Sequence, residues 1–386
     1  MRVTLDEICT LACEKANVDS IEKSSYVSTE SMLPNKGGIS SPSSIPDKGK
    51  VTRYRKGDTL ISNIRPYFKK IWHADKNGGC SNDVLVLRPS KSCDSDYLYW
   101  ALSDDAFFDY MTATSKGTKM PRGDKAAIMR YQLPKHEKPQ QLKIAALLQP
   151  LQEQIILNNQ TNGYLEELID SKFSEDFGNG CPLVKLGEVL RISTESVNPR
   201  QHAEEMWEHY SIPAFDNSHQ PTFELASNIK SNKYVVSRNS ILISKLNPSI
   251  KRFWLPACST QHAVCSTEFI VYETKNPAHK SFYAAALSSD VFQKYLLAHV
   301  TGSTGSRQRT QPKSTLEYPM PHPSEADIDE FCAFADPIYT RIECNERESA
   351  GLSQLRNALL PKLMSGEIDV SKVEVPTQPN SHLSGC

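Results

Sequence analysis

The chain has no long apolar run. Its 386 residues are 39% hydrophobic, yet no uninterrupted apolar stretch approaches the ~20 residues that a membrane helix needs. The N-terminal segment MRVTLDEICTLAC carries acidic side chains where a secretory signal has its apolar core. The apolar content is high enough for packed cores, and the length suffices for two domains. The sequence therefore predicts a cytoplasmic globular protein without a membrane segment.

Closely spaced cysteines are also missing. The chain has ten cysteines, but their spacings, such as Cys9 to Cys13 and Cys258 to Cys265, include no CxxC pair. A chain of this length does not need a disulfide scaffold, and a structural zinc site needs closer ligand pairs. We therefore expect reduced thiols and no metal site.

The common catalytic motifs are absent as well. The sequence contains no GxGxxG, GxxxxGK[ST], GxSxG or HExxH segment, so no dinucleotide, P-loop, hydrolase or zinc-protease site is indicated. His202 and His209 are spaced too widely to ligate one metal from a single helical turn. The segments NPSI at 247–250 and DPIY at 336–339 resemble the loop of amino-methyltransferases but lack its second proline. The sequence thus predicts no catalytic residue.

The sequence does contain an internal repeat. GDTLISNIRPYFKKIW at 57–72 matches NSILISKLNPSIKRFW at 239–254 without a gap. A period near 185 residues is too long for a solenoid, so each copy should be a domain. Further matched segments are CSNDVLVLRP with CSTEFIVYET (80–89 and 265–274), ALSDDAFFDYM with ALSSDVFQKYL (101–111 and 286–296), and GTKMPR with GSTGSR (117–122 and 302–307).

Each copy combines strand and helix patterns. The β-branched runs TLISNI and ILISKL predict strands. The segments SDYLYWALSDDAFFDYM and SFYAAALSSDVFQKYLLAHV have apolar residues three and four apart and predict amphipathic helices. Each copy is therefore expected to be a mixed α/β globule.

A long helix is predicted after each globule, at 141–177 and at 328–366. The two segments align at an offset of 187, and Pro150 and Pro337 coincide, which predicts a kink or a restart at the same point of each helix. Apolar residues alternate at spacings of four and three, as in the seam of a coiled coil.

Two helices with matching seams are expected to pair in an antiparallel manner. Such pairing would bring Asn158 near Asn345, where two buried amides would fix the register at a cost in stability. Replacing both residues with Leu should then raise the thermal stability. The alternative is that each helix packs only on its own globule.

Basic residues are concentrated in particular segments, although the formal net charge is −1. Lys and Arg bind phosphates irrespective of sequence, whereas Arg on loops also reads base edges. The acid-free loop TGSTGSRQRTQPK at 301–313 is suited to close approach to DNA. The candidate DNA contacts are Lys50, Arg53, Arg65, Lys69, Lys70, Lys116, Lys119 and Arg122 in the first copy, and Lys233, Lys245, Lys251, Arg252, Arg307, Arg309 and Lys313 in the second.

The chain resembles the specificity subunits of type I restriction–modification enzymes. The resemblance is carried by the tandem architecture, LISNIRP and LISKLNP, GSTGSRQRTQP, QLKIAALLQPLQEQI and, above all, LRNALLPKLMSGEIDV at 355–370. It covers about residues 1–370, and it is specific in the order of these segments rather than in any one of them. The first copy departs from the family pattern at GTKMPRGDK.

The resemblance implies a mixed α/β fold with pseudo-twofold symmetry, in which two target recognition domains are separated by an antiparallel coiled coil. Each domain would read one half of a bipartite DNA sequence, and the coiled coil would set the spacer. The implied order is a first target recognition domain at 1–138, a first spacer helix at 139–180, a second target recognition domain at 181–322, a second spacer helix at 323–370 and a disordered tail at 371–386.

The resemblance also implies partners. Two methyltransferase subunits would dock on the chain, and restriction motor-nuclease subunits would join them on double-stranded DNA. S-adenosylmethionine, ATP and magnesium would belong to those subunits, and this chain would be non-catalytic. Three other functions stay open at this point: a stand-alone tandem DNA-binding regulator, a self-contained adenine methyltransferase, and a protein-interaction scaffold.

Overall fold

The computed structural model describes residues 2–40, 42, 44–301 and 308–374. Two compact units are present. The first unit takes its residues from Met1–Ile155 and Gly351–Cys386, and the second from Ile156–Ala350. Each unit therefore combines one globule with a part of each long helix.

The first globule precedes and includes the start of a 40-residue helix, α5. Its elements are β1 (Arg2–Thr4), α1 (Leu5–Ile8), β2 (Cys9–Leu11), β3 (Lys15–Asn17), β4 (Tyr26–Val27), β5 (Lys50–Tyr54), β6 (Thr59–Ser62), β7 (Ile71–His73), β8 (Gly78–Cys80), β9 (Val84–Pro89), α2 (Ser95–Leu102), α3 (Asp105–Ala113), α4 (Lys125–Met129), β10 (Gln132–Pro134) and α5 (Lys138–Phe177).

The second globule follows α5 and leads into a 41-residue helix, α11. Its elements are β11 (Leu183–Lys185), α6 (Leu186–Val189), β12 (Leu190–Ser193), β13 (Ser196–Val197), β14 (Met206–Tyr210), α7 (Ile212–Ser218), β15 (Thr222–Leu225), β16 (Lys233–Val235), β17 (Ser240–Ser244), β18 (Phe253–Trp254), β19 (Ala263–Cys265), β20 (Phe269–Thr274), α8 (Lys280–Ser288), α9 (Asp290–Ala298), β21 (Val300–Thr301), β22 (Arg309–Thr310), α10 (Pro312–Thr315), β23 (Pro319–Pro321) and α11 (Glu325–Ser365).

The two globules share their sheet topology, which confirms the repeat. An antiparallel sheet has the order β2-β9-β6-β7 in the first unit and β12-β20-β17-β18 in the second. A second sheet has the order β3-β5-β8-β4, and its counterpart is β13-β16-β19-β14-β15. In both, one strand pair is parallel, β4 with β8 and β14 with β19. The second copy adds α7 and β15 to the shared plan.

The cores are built from the same elements in each copy. The first core packs α2 and α3, through residues such as Trp100 and Phe107, against the sheet that contains β6. The second packs α8 and α9, through Phe282 and Phe292, against the sheet that contains β17. Alternating side chains of β6 and β17 enter separate clusters on the two sheet faces, as the period of a strand requires.

The long helices pair in an antiparallel manner, as predicted, and they also pack on the globules. In the first unit Arg356 of α11 donates a hydrogen bond to Gln152 of α5. In the second unit Asn158 and Asn162 of α5 approach Asn345 and Ile342 of α11, so the two chain directions are opposite. The apolar seam is shared with the cores. Ile144, Leu148, Leu360 and Leu363 join the first core, and Ile169, Phe173, Ile328 and Phe331 join the second.

The helices begin three residues earlier than predicted, and neither restarts at its internal proline. Pro150 lies inside α5, and the helix continues through Pro337 in α11. The bounds predicted for the domains stay a prediction.

Residues 371–374 lie next to α5, where the Lys143 Nζ donates to the carbonyl of Ser371 at 3.0 Å and to that of Val373 at 3.1 Å. The remainder of the predicted tail is outside the described residues.

Candidate nucleic-acid interface

Two loops meet at the end of β6 in the first unit. Arg65 follows the strand in the left-handed backbone region, at φ 50°, a conformation that is uncommon for residues other than glycine. Its N–H donates to the carbonyl of Pro121 at 2.8 Å. Pro121 belongs to a short hairpin that is closed by paired backbone bonds of 2.8 and 2.9 Å between Lys116 and Arg122. We call residues 63–70 and 115–123 the first loop pair.

The second unit repeats this junction at the end of β17. Asn247 occupies the position of Arg65, has φ 46° and donates its N–H to the carbonyl of Gln308 at 2.9 Å. The Thr310 N–H donates to the carbonyl of Lys245 at 3.0 Å. Residues 245–252 and 300–310 form the second loop pair, of which 302–307 lie outside the described residues. Both copies thus use a left-handed residue to dock a later loop beside the central strand.

An arginine–carboxylate pair holds each docked loop. Arg122 lies 3.1 Å from Asp83, and Arg309 donates from Nε and Nη2 to the two oxygens of Glu268, both at 3.0 Å. The backbone of Arg122 forms an isolated antiparallel β-bridge with Ile64 in the first copy. Arg309 forms the same kind of bridge with Leu246 in the second copy. The sequence alignment, which set Arg122 opposite Arg307, was therefore wrong. Arg307 itself lies outside the described residues.

The first loop pair presents basic and apolar side chains together. Arg65 and Lys119 are exposed. Beside them in the two loops Tyr67 is 48%, Phe68 38% and Met120 48% exposed. Cations that neutralise phosphate next to aromatic and apolar groups that contact bases are the combination typical of a nucleic-acid surface.

Two further cations at this surface are partly committed to carboxylates. Lys116 is 80% exposed and pairs with Asp124 at 2.6 Å. Arg122 is about half exposed while it contacts Asp83. Each side chain remains accessible, so a phosphate could replace or share the carboxylate partner.

Other candidate contacts turn toward the protein. Arg252 is buried, and its Nε and Nη2 donate to the two oxygens of Asp216 at 2.6 and 2.9 Å. The buried Lys233 donates to Ser231, and burial lowers the pKa of its ammonium. Lys70 donates to the Thr29 carbonyl at 2.7 Å, and burial lowers its pKa as well. We leave these three out of the proposed surface; their contact with DNA stays a prediction.

The remaining candidates are distributed over both units. Lys50 is exposed at the start of β5, where Arg53 lies 3.6 Å from Glu14. Lys69 pairs with Asp105 of α3 at 3.0 Å. In the second unit Lys313 is exposed on α10, Lys245 is half-buried near Glu268, and Lys251 is exposed. The structure does not test DNA contact by any of these residues.

The sequence reasoning missed two features of the site. It did not single out Tyr67, Phe68 and Met120, because single exposed apolar residues are ordinary. It also overlooked Asp83 and Glu268, although both occupy the same place in the matched segments CSND and CSTE. An acid retained at one position of both copies was the available signal.

The described ranges indicate neither a membrane helix nor a metal site. None of their helices is long and apolar enough to span a membrane. Within the same ranges no group of three or more His, Cys, Asp or Glu side chains is arranged to hold a metal ion, and the nine described cysteines are free.

A known protein resembles this chain over most of its length. The type I restriction enzyme MjaIX specificity subunit of Methanocaldococcus jannaschii is 21% identical over 318 residues, which cover 74% of this chain and 72% of that protein. This chain is therefore similar in sequence to a type I restriction specificity subunit over most of its length. No protein-family model matches it.

A solved specificity subunit has a similar fold. The S subunit of the type I restriction–modification system from M. genitalium aligns with a TM-score of 0.56 at 16% identity, over 94% of this chain and 96% of that chain. The HsdS subunit from Thermoanaerobacter tengcongensis covers 95% of this chain and 97% of its own at 20% identity, with a TM-score of 0.37. The likeness to the M. genitalium subunit extends over both globules and both long helices.

Proposed function

We propose that this chain is the DNA-recognition subunit of a type I restriction–modification complex. Each globule reads one half of a bipartite sequence in double-stranded DNA. The two loop pairs supply the contacts, and the paired helices set the length of the unread spacer. The chain carries out no catalysis itself and works in the cytoplasm, where chromosomal DNA is accessible.

One observation carries this proposal: the same docked loop pair is built twice, on the same strand of the same sheet. Arg65 and Asn247 hold equivalent left-handed positions, but they offer different chemistry, a guanidinium in one copy and an amide in the other. Arg and Asn side chains favour different base edges. A duplicated scaffold with divergent side chains suits the reading of two unlike half-sites.

We assign the chemistry to partner subunits. Two methyltransferase subunits dock on this chain and use S-adenosylmethionine, and motor-nuclease subunits use ATP and magnesium. The support is indirect: the M. jannaschii relative is named as the specificity subunit of a type I restriction enzyme.

Adenine methylation of genomic DNA tests the proposal. The gene for this chain is deleted from its host, and methylated adenines are mapped before and after. We expect one bipartite motif with a fixed spacer to lose its methylation, and a plasmid-borne copy to restore it. Removal of four residues from α5 should change the tolerated spacer while it leaves the half-sites unchanged, because four residues shorten a helix by about 6 Å.

Three results would contradict the proposal. Unchanged adenine methylation, together with altered transcription near bound sites, would favour a stand-alone regulator. Methyl transfer by the purified chain alone would favour a self-contained enzyme. Binding to DNA that does not weaken as salt rises would argue against phosphate contacts altogether.

A further inference from the structure

A groove of about 700 Å³ opens within the second unit. Segments of α5 and α11 line one side, while Phe215 of α7, Trp254 of β18 and Lys280 of α8 line the other. Pockets of this size hold small organic ligands. Of the candidate DNA contacts in the described ranges, Lys251 of the second loop pair alone lines the groove, and the other lining residues lie outside the DNA-contact candidates.

Carboxylates dominate the charge of this groove. The five that line it are Glu166, Asp170, Asp336, Glu343 and Glu346. The basic groups in the lining are His219, Lys251 and Lys280. The surrounding side chains therefore leave an excess of negative charge in a confined space.

Three of these carboxylates have no cation bonded to them among the described residues: Asp336, which accepts a hydrogen bond from the Ser281 hydroxyl, Asp170 and Glu166. Asp170 accepts a hydrogen bond from the neutral Ser288 hydroxyl at 3.3 Å. Glu166 interacts with its neighbours through charge alone, and the nearby cations are His219 and Lys251. Although Glu166 as a whole residue is exposed, like its neighbour Glu167, desolvation of the two carboxyl groups in the groove raises the pKa of Glu166 and that of Asp170. A cation placed between them would restore the stability of both ionised forms.

Two of the three basic groups in the lining are already engaged by other partners. His219 Nδ1 lies 3.0 Å from Glu346. The Lys280 ammonium donates to the backbone carbonyl of Arg238, and burial lowers its pKa to about 8. Lys251 is exposed and interacts with Glu166 and Asp170 through charge. Phe215 and Trp254 add aromatic rings, which attract organic cations more than they attract inorganic ions.

The first unit has a different composition at the equivalent place. At the offset of 187 that aligns the long helices, uncharged residues replace all five carboxylates, and Arg356 stands where the second unit has Ile169. The corresponding positions are Gln149 for Asp336, Ile156 for Glu343, Asn159 for Glu346, Ser353 for Glu166 and Asn357 for Asp170.

The first unit also fills this place with its own cations. The Arg356 guanidinium donates to Gln152 and to Asn357 Oδ1, and burial lowers its pKa. Lys36 lies in the loop between β4 and β5 and forms an ion pair of 2.7 Å with Asp105. One copy thus encloses its own guanidinium and ammonium, whereas the other keeps an acidic cavity open.

We propose that the groove of the second unit binds a small organic cation carrying ammonium or guanidinium groups. Glu166 and Asp170 provide its charge partners, and the rings of Phe215 and Trp254 provide its apolar contacts. In the second copy the bound cation supplies the positive charge that the Arg356 guanidinium supplies in the first.

Calorimetric titration of the nuclease-treated full chain with spermidine, and separately with arginine, tests this site. We expect one saturable site per chain for at least one of these probes, after subtraction of a sodium chloride titration at equal ionic strength. Glu166→Gln combined with Asp170→Asn should weaken that binding at least tenfold. Glu166→Lys should abolish it, because the chain then carries its own cation in the groove.

Glu167→Gln and Glu167→Lys are matched controls. Glu167 is the neighbouring exposed acid on α5, and it does not line the groove, so its variants change the overall charge equally and should keep the affinity within twofold. Circular dichroism confirms that each variant is folded.

The proposal is overturned if neither probe saturates one site, or if the Glu167 variants weaken binding as much as the Glu166 variants do. Binding of basic peptides but of neither small probe would also overturn it, since it would show that the groove takes a protein side chain. DNA affinity is measured on the same samples. Because Glu166 lies outside the loop pairs, loss of cation binding with intact DNA binding separates this inference from the proposed function.

Discussion

The Asn345 side-chain amide donates to Asn162 Oδ1 at 2.7 Å, and both residues are buried where α5 and α11 pair. The expected partner, Asn158, instead donates to the Asn345 backbone carbonyl at 3.4 Å and to Glu348 at 2.9 Å. The register of the helices in the second unit therefore rests on a cluster of amides that is displaced by one turn from the predicted pair.

This arrangement predicts a non-additive response to Leu substitution. Asn345→Leu alone leaves the Asn162 carbonyl oxygen without its donor and should cost about 1–3 kcal/mol. Asn162→Leu combined with Asn345→Leu removes both partners and should recover most of that loss or exceed the wild-type stability. A double-mutant cycle of urea unfolding measures the coupling. Additive losses would show that the two amides do not act as a pair.

Phosphate contact at the first loop pair is tested by Arg65→Ala combined with Lys119→Ala. Both side chains are exposed, so their loss should weaken binding to all DNA and flatten the plot of log affinity against log salt by about 1–2. Lys70→Ala is the matched comparison, since that ammonium already donates to Thr29, and its effect should be smaller. Equal slopes for the double variant and the wild type would remove these two residues from the interface.

Tyr67 offers a test of base contact as opposed to phosphate contact. Its ring is 48% exposed and lies 4.8 Å from that of Phe68, measured between centroids. Tyr67→Ala should reduce the ratio of specific to non-specific affinity by roughly tenfold, in line with about 1–3 kcal/mol for one base contact. The salt dependence should not change. A change in the salt slope with an unchanged specificity ratio would assign this ring a purely structural role.

Glu268 is predicted to restrain the second loop pair. Its two oxygens accept hydrogen bonds from Arg309, and this contact lowers the pKa of the Glu268 carboxyl. Glu268→Gln removes a negative charge and frees the guanidinium, so non-specific DNA affinity should rise at low salt while sequence discrimination falls. Glu273→Gln, which breaks a separate pair with Arg191, should leave both quantities unchanged. No gain in affinity for Glu268→Gln would place Arg309 away from DNA.

His219 predicts a pH dependence of stability in the second unit. Burial by itself disfavours its charged ring, but the hydrogen bond to Glu346 and the neighbouring carboxylates outweigh this, and the pKa of His219 is raised. A raised folded-state pKa adds stability that is complete below the unfolded value of about 6.5 and disappears as pH rises through the folded value. His219→Gln should therefore lower Tm more at pH 6 than at pH 9. The exposed His299→Gln should show no such difference, and a pH-independent loss for His219→Gln would contradict the linkage.

The sequence anticipated the repeated features of the fold because repetition doubles each local signal. The strand TLIS and its partner SILIS, the two helices that follow each sheet and the long helices after each globule were all visible as matched periodic patterns. The antiparallel pairing followed from matching seams. It could not be predicted that Ile144 and Ile169 serve the globule cores as well as the helix pair, since periodicity shows that a face is buried but not what covers it.

The site followed the sequence only in part. Charge identified Arg65, Lys119 and Arg122 as candidates, but it could not distinguish them from Arg252 or Lys233, which turn inward toward Asp216 and Ser231. Whether a basic side chain meets solvent or a carboxylate depends on residues far away in the chain. The pairing of Arg309 with Glu268, 41 residues apart, is a contact of this kind.

By itself, the sequence determined that this protein is made of two sibling α/β copies with long helices, because strand and helix periods and the spacing of the repeat are local properties of the chain. Only the tertiary structure decided which cations remain accessible, which amide of the helix pair meets Asn345, and that one copy keeps an acidic groove where the other encloses Arg356. Those outcomes depend on packing between distant segments, where burial and the nearest charge decide what each side chain does.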